Sequence, residues 1–151
     1  MQWSDMDWTK GTPLAAGTLS WGLVQTTPET AVYWEKIKDE GRIYLKRCID
    51  CSAYNHPRRL VCTGCYGMHL EWAPASGRGT VYSFSTVHHA PSEDAEKELP
   101  YTLGIVNLEE GVPFFGKIED AGAGEVAIDA PVGAVVRQVF GQMLPVFLVG
   151  T

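Results

Sequence analysis

Cys48-Ile49-Asp50-Cys51 and Cys62-Thr63-Gly64-Cys65, ten residues apart, hold all four cysteines of the chain. Two C-x-x-C knuckles this close supply four thiolates to one tetrahedral centre. Zinc takes such a set readily, because it is borderline soft and has no d-electron geometry to satisfy. The spacing admits an iron centre of the same four-thiolate type; zinc is favoured. With Cys48, Cys51, Cys62 and Cys65 all spent as ligands, no position stays open to water, so one structural ion is expected and not a catalytic one. The competing reading is two disulfides or four unrelated buried thiols. Disulfides are scarce in the cytosol, and chance rarely leaves every cysteine of a chain in paired C-x-x-C form. Each knuckle must turn backbone N–H groups toward sulfur. Gly64 is expected to take the left-handed conformation that such a turn often needs.

Upstream of the knuckles, Ile43-Tyr44-Leu45 reads as a short strand leading into Cys48. Before it, the sequence predicts a helix over 27–41. Thr27 is placed to cap it, Pro28 suits its first position, Glu29 faces the positive end of the dipole and Gly41 ends it. Its apolar stripe is narrow: Val32 or Tyr33, then Trp34, Ile37 and the stems of Lys36 and Lys38. Such a helix docks but does not fold alone. Residues 1–27 carry Trp3, Trp8 and Trp21 among Gly, Thr, Ser and Pro, with no helical or alternating period running through them. Three tryptophans are costly to expose, so this extension is expected to lie on a surface, its own or a partner's. Between the knuckles, Tyr54 to Leu60 is expected to form the ribbon's hairpin, with Pro57 near its turn.

Downstream, the character changes from Glu71-Trp72. Gly77-Arg78-Gly79-Thr80 reads as a turn. Val81 to Val87 is rich in β-branched and aromatic residues, as a strand requires. Residues 92–98 form a charged loop without period. Tyr101 to Leu108 is a strand, Glu109-Glu110-Gly111 a hairpin signal, and Val112 to Ile118 the returning strand. Ala121-Gly122-Ala123-Gly124 is a loop, Val132 to Phe140 the next strand and Leu144 to Val149 the last. Five strands with glycines at the bends imply a closed or nearly closed barrel, the economical way to hide strand edges. The expected fold is therefore mainly β: an N-terminal helix, a zinc ribbon and a five-stranded OB-fold barrel. The expected division is an extension over 1–27, helix and lead-in strand over 28–46, zinc ribbon over 47–72 and OB-fold domain over 73–151.

The formal net charge is −6 and is unevenly placed. Residues 1–78 hold nine Lys/Arg against eight Asp/Glu, whereas residues 79–151 hold three against ten. An acidic surface repels phosphate backbones, which demotes nucleic acid as a partner. A single-stranded nucleic-acid-binding ribbon/OB protein is the second reading. Seven of the twelve basic residues (Lys36, Lys38, Arg42, Lys46, Arg47, Arg58 and Arg59) fall around the knuckles. They are expected to solvate a small domain and offset the thiolate charge; the competing reading is an anion site for a phosphate-bearing cofactor. No run of about 18 apolar residues is present, so no membrane span is expected. The acidic N-terminus lacks the form of a secretory signal, and the protein is read as cytoplasmic.

The order of parts resembles a widespread family of small acyl-CoA-associated proteins, in which a rubredoxin-like zinc ribbon precedes a C-terminal OB fold. The resemblance covers about residues 28–149. It rests on Tyr33-Trp34-Glu35, on Arg47 with the knuckles and Pro57-Arg58, on Glu71-Trp72, on Ser76-Gly77-Arg78-Gly79-Thr80-Val81-Tyr82-Ser83-Phe84, on Pro100-Tyr101, on Val132-Gly133 and on Leu144-Pro145-Val146-Phe147. The cysteine frame alone is generic; the Ser-Gly-Arg-Gly-Thr-Val-Tyr-Ser segment placed after it is more specific. The resemblance implies a non-catalytic accessory subunit of a thiolase-superfamily complex acting on acyl-CoA by thiolytic or retro-aldol carbon–carbon cleavage, as in aromatic-compound or steroid side-chain degradation. It implies a thiolase-like partner, a heterotetramer, and acyl-CoA shared with the partner and contacted in the complex. The stand-alone form, without a fused hydratase domain, is expected.

Nothing in the residues nominates a catalytic group. The cysteines are spent on metal. His56, His69, His88 and His89 lack an accompanying nucleophile or carboxylate motif, which a catalytic histidine needs within hydrogen-bond reach. His88 and His89 are adjacent in a predicted strand end, so at most one faces any given site. They are expected to be exposed.

Overall fold

A computed structural model describes residues 27–90, 93–122 and 125–150. The tryptophan-bearing extension, Ser92 of the expected charged loop, and Ala123-Gly124 of the last loop lie outside the described residues. Helix α1 spans Pro28–Glu40. Its start is fixed by Thr27 and Pro28, with the Thr27 backbone N–H donating to Thr30 Oγ1 at 2.9 Å. Its end is fixed by Gly41, whose φ of 65° is the left-handed value that glycine adopts without strain, and whose N–H donates to the Ile37 carbonyl. The stripe is narrower than expected: Thr30, Tyr33 and Ile37 are buried, Trp34 is half-buried, and Val32 is exposed.

Strand β1 (Tyr44–Cys48) lies between β2 (Tyr54–Asn55) and β3 (Leu70–Pro74), both antiparallel to it. The expected hairpin over 54–60 is not there. Tyr54 and Asn55 instead pair back onto Arg47 and Lys46, so the hairpin closes around the first knuckle. Pro57 does sit in a turn, closed by the Arg59 N–H on the His56 carbonyl.

The second sheet is a closed barrel of β4 (Arg78–Val87), β5 (Tyr101–Leu108), β6 (Pro113–Asp120), β8 (Gln142–Val149) and β7 (Pro131–Val139), in that order around the ring. The expected five strands are all present. One boundary moves: residues 78–80 belong to β4 and not to a turn. Gly79 pairs with Leu108 on one side and Val132 on the other. A Cβ there would lie 2.4 Å from the Asn107 carbonyl oxygen. This glycine serves strand closure, a use that sequence alone cannot separate from turn formation. The charged loop contains one helical turn, α2 (Glu93–Glu96), which buries Ala95 against Ala90 and Tyr101.

One apolar core joins these parts. It includes Tyr33 and Ile37 of α1, Ile43, Tyr44 and Leu45 leading into the ribbon, and Val81, Val106, Ile118 and Phe147 of the barrel. The root of the ribbon is thus continuous with the barrel core, while the cysteines of its tip are not part of that cluster.

Candidate functional site

The tip gathers the four thiols. Cys48 Sγ lies 3.6 Å from Cys65 Sγ, and Cys51 Sγ lies 3.6 Å from Cys62 Sγ. All four sulfurs fall within 4.8 Å of one another. A disulfide needs about 2.05 Å, so none is formed. Four sulfurs at about 2.3 Å from a central ion would stand about 3.8 Å apart in a tetrahedron, and the separations fit that figure. The four cysteines are positioned for metal binding.

The two knuckles are built alike. Ser52 N–H donates to the Cys48 carbonyl at 2.9 Å, and Tyr66 N–H to the Cys62 carbonyl at 3.1 Å. The residue after each second cysteine is left-handed: φ is 62° at Ser52 and 60° at Tyr66. The expectation for Gly64 is therefore corrected, since it is absent from the residues with positive φ. What Gly64 contributes is its N–H, 3.3 Å from Cys62 Sγ. Gly67 has a spatial role: a Cβ there would meet Asp50 Oδ2 at 2.7 Å.

Asn55 ties the tip together, a role that no local pattern of residues announces. Its Oδ1 accepts from Thr63 N–H at 2.8 Å and from the Thr63 hydroxyl at 2.9 Å. Its Nδ2 donates to the Ala53 carbonyl at 3.1 Å and approaches Cys62 Sγ at 3.6 Å. One buried amide thus joins the strand before the second knuckle to both knuckles. A lone Asn beside a turn reads as a turn residue, which hides this role.

The thiols do not titrate alike. Hydrogen bonds from the Cys65 and Gly64 backbone, with help from Asn55, pull Cys62 down to about 6. At Cys65 the Gly67 backbone hydrogen bond lowers the value, but the neighbouring Cys51 and Cys48 thiols outweigh it and hold the group up at about 12. Four thiolates this close repel one another unless a cation sits among them.

Of the histidines, only His56 is substantially buried. Its ring lies 5.2 Å from that of Phe114. Burial, and then Arg58 and Arg59, push its pKa down. His69 is exposed and 3.1 Å from Asp50; His88 and His89 are exposed, as expected. Three of the seven residues of the basic cluster are engaged in structure. Lys46 donates to the Arg59 carbonyl at 2.9 Å and lies over the Trp72 ring, Lys36 pairs with Glu40, and Arg47 with Glu71.

A second feature is an apolar groove of about 720 Å³ between α1, the ribbon and the barrel. It opens where β6 and β8 diverge. Their parallel ladder begins only at Lys117 and Val146, and the residues just before that pair, Phe115 and Leu144 among them, line the groove. Tyr33, Trp34, His56 and Arg58 form its other wall. Burial pushes the Tyr33 phenol up, and its hydroxyl has no hydrogen-bond partner among the described residues.

A ribbon carrying four clustered thiols, followed by a closed five-stranded OB-type barrel, defines a zinc-ribbon/OB-fold protein. Two family models match: "ChsH2, rubredoxin-like zinc ribbon domain" over residues 36–68 and "ChsH2, C-terminal OB-fold domain" over residues 72–137. A DUF35 domain-containing scaffold protein of Methanocaldococcus jannaschii is 37% identical over 107 residues, covering 70% of this chain and 75% of that protein. The chain belongs to the ChsH2/DUF35 family. The benzoylsuccinyl-CoA thiolase subunit BbsA of Thauera aromatica is 35% identical over 85 residues, 54% of this chain and 57% of BbsA. The chain therefore spans little more than half of that thiolase subunit. Among solved structures, a chain of the Ltp2-ChsH2(DUF35) aldolase superposes with a TM-score of 0.72 at 26% identity, covering 85% of this chain and all of the other. The protein is thus related to subunits of thiolase and aldolase complexes. No described helix is long and apolar enough to cross a membrane.

Proposed function

We propose that this chain is a non-catalytic, zinc-binding accessory subunit of a thiolase-superfamily complex that acts on acyl-CoA. The observation that carries the reading is the joint presence of a four-thiol centre without an open ligand position and a fold shared with subunits of a thiolase and an aldolase. Cys48, Cys51, Cys62 and Cys65 would hold the ion. Bound there, zinc supplies cross-linking and charge neutralisation, since four protein ligands leave it no water to activate. The chain's own contribution is to present the ribbon tip and the barrel wall to a partner. The partner carries the nucleophile or base for thiolytic or retro-aldol cleavage. The assembly is a heterotetramer built on a partner dimer, with acyl-CoA contacted at the shared interface. In this reading the ribbon occupies 47–72 and the OB-fold domain 73–151, and the protein works in the cytoplasm.

The test is affinity capture of the tagged full-length chain from its native cell extract, with mass spectrometry of stoichiometric partners and metal analysis of the eluate. A thiolase-like protein with one zinc per chain is the expected result. Turnover of acyl-CoA by the chain alone, at the rate of the complex, would overturn the non-catalytic role. Recovery of RNA or of translation components would overturn the acyl-CoA assignment.

A further inference from the structure

The barrel closes as a ring, but β4 is longer than the seam that closes it. Its β5 side is paired from Gly79 to Val87, whereas its β7 side is paired only from Arg78 to Thr80. The turn before β7 carries that seam one residue further. The Val81 N–H donates to the Ala130 carbonyl at 3.0 Å, and the Asp129 N–H donates to the Val81 carbonyl at 2.8 Å. Beyond Val81, among the described residues, Tyr82 to Val87 make no backbone hydrogen bond outside the β4–β5 ladder. The outer part of β4 is therefore an open strand edge.

Soluble proteins blunt such edges with charge, proline or cover, because unpaired backbone groups recruit other strands. Strand β3, at the edge of the ribbon sheet, follows this rule: it carries Glu71 and ends at Pro74. The β4 edge does not. Residues 79–90 contain no Lys, Arg, Asp, Glu or Pro. Two aromatic residues stand on the edge, Tyr82 at 62% exposure and Phe84 at 38%. The neutrality is local, since residues 79–151 as a whole hold ten acidic residues against three basic ones. The backbone is aimed outward as well. The Ser83 carbonyl oxygen faces β5, where a Cβ on Gly104 would lie 2.4 Å from it. Successive residues of an antiparallel strand turn their N–H and C=O groups to opposite sides. Those of Phe84 and Thr86 therefore point away from β5, to the open edge.

We infer that this edge pairs with the same edge of a second copy of the chain, joining two barrels through one continuous antiparallel sheet. The segment Tyr82-Ser83-Phe84-Ser85-Thr86 reads nearly the same in both directions. Set antiparallel to its copy about a two-fold axis at Phe84, it places Phe84 beside Phe84, Ser83 beside Ser85 and Tyr82 beside Thr86. The axis falls on a residue whose backbone groups face outward, so the two Phe84 residues can exchange both hydrogen bonds. Aromatic pairs and hydroxyl pairs are favourable cross-strand neighbours. A two-fold contact also brings each patch against its own copy. On a chain of net charge −6, an uncharged strand is a surface where that approach meets no repulsion. The bonds at Val81 set one end of the pairing, because they close the edge there. This inference stands apart from the accessory-subunit reading: it concerns the chain alone and holds whether or not a thiolase-like partner exists.

The experiment uses the full-length chain in excess zinc, with its mass followed by sedimentation across a concentration series. The expected result is a reversible rise from one chain to two and no further, because a two-fold contact closes. The paired stretch is short, and contacts below about 1,200 Å² belong to weak association, so the rise is expected to follow concentration. Hydrogen exchange read by NMR reports the register. The Phe84 and Thr86 amides gain protection as concentration rises, while the Ser83 and Ser85 amides, turned to β5, are protected throughout. Phe84→Lys sets two cations at the axis and is expected to remain a single chain. Thr86→Pro removes an outward N–H, a change that edge strands tolerate, and is expected to move the transition to higher concentration. Unchanged protection of the β5–β6 ladder shows in each variant that the barrel is intact. A single chain at every concentration would overturn the inference. So would a two-chain mass indifferent to both variants, since the contact would then lie elsewhere. Edge amides that gain protection only when a different protein is added would give the edge to that protein, and the self-pairing would fail.

Discussion

The ribbon tip and the barrel are held together by opposite means. In the barrel a set of large apolar side chains points inward, with Val81, Val106, Val146 and Phe147 fully buried although Tyr82 and Phe115 stay exposed, and the ring of strands closes on itself. At the tip they point outward: Tyr66 is 80% exposed, Met68 74% and Ile49 63%. Apart from Pro57, what the tip buries is polar or soft, namely Asn55 and the sulfurs of Cys48 and Cys62. A segment that places its large apolar residues on the surface cannot be held by burial. It must be held by specific bonds to sulfur and to one amide. Freed from a core, tyrosine and methionine become available to a partner, and both are enriched at interfaces.

The strongest way to break this contrast is to remove the metal. Structural zinc in small domains contributes about 10–16 kcal/mol of apparent binding energy, which is also folding energy. A strong chelator, or Cys62→Ser, is expected to unfold residues around both knuckles while the barrel strands persist. Hydrogen exchange would show it: tip amides such as those of Ser52 and Tyr66 lose protection, and the β5–β6 ladder keeps it. Simultaneous loss in both regions would mean that the metal holds the whole molecule and that the contrast is wrong.

The converse change attacks the barrel. Phe147 is fully buried, packs against Phe114 at 6.3 Å between ring centres, and lies so close to Gly116 that a Cβ there would come within 2.9 Å of its ring. Phe147→Ala should lower stability to denaturant by about 3–5 kcal/mol, the usual range for a buried aromatic truncated to alanine. Zinc content per folded chain should not change. Zinc release at a denaturant concentration well below barrel unfolding would show that the tip leans on the barrel more than its bonding implies.

This contrast also explains what was legible in the sequence. The barrel strands and α1 announce themselves through patterns that physics makes local: β-branched runs between glycines, a Thr-Pro start, a Gly41 stop. The cysteines announce themselves by chemistry and spacing. The features that escaped are tertiary. Gly79 looks like a turn glycine until Asn107 is seen opposite it. Tyr54 and Asn55 form too short a strand to carry a period, so their pairing with β1 was invisible. The left-handed residues proved to be Ser52 and Tyr66, where no glycine marks them, and the role of Asn55 depends on Thr63 and Cys62 being brought beside it. The groove is made by α1, the ribbon turn, β5, β6 and β8 together, and no local pattern encodes it.

Asn55 gives the next, smaller test. Asn55→Ala would leave the Thr63 N–H and hydroxyl without their acceptor and remove a donor near Cys62. Stranding fully buried groups costs about 1–3 kcal/mol; Thr63 is exposed, so water replaces part of the loss and the effect should fall at or below the low end of that range. The loss should appear at the tip alone, as faster transfer of zinc to a colorimetric chelator, with the barrel's denaturation midpoint unchanged. An equal loss in both regions would show that Asn55 supports the common core.

The smallest effect lies at the seam, where His56 of the ribbon rests on Phe114 of β6. Burial first, and the Arg58 and Arg59 charges second, hold its pKa below the ordinary value, which is about 6.5. A base with a depressed pKa stays neutral in the fold while the unfolded chain takes up a proton. Its contribution is therefore fully present above the unfolded pKa and is lost as pH falls from there toward the folded pKa. Acid also protonates the cysteines, so the wild-type curve alone cannot isolate the effect of His56. The difference between wild type and His56→Gln can, if both are unfolded by denaturant across mildly acidic to neutral pH with zinc in excess. Wild type should lose ground to the variant as pH falls. Added salt should shrink the part due to the exposed arginines and leave the part due to burial, because screening acts on charges in solvent and not on desolvation. Parallel curves would place His56 outside the seam, and with it the closest ring contact between ribbon and barrel.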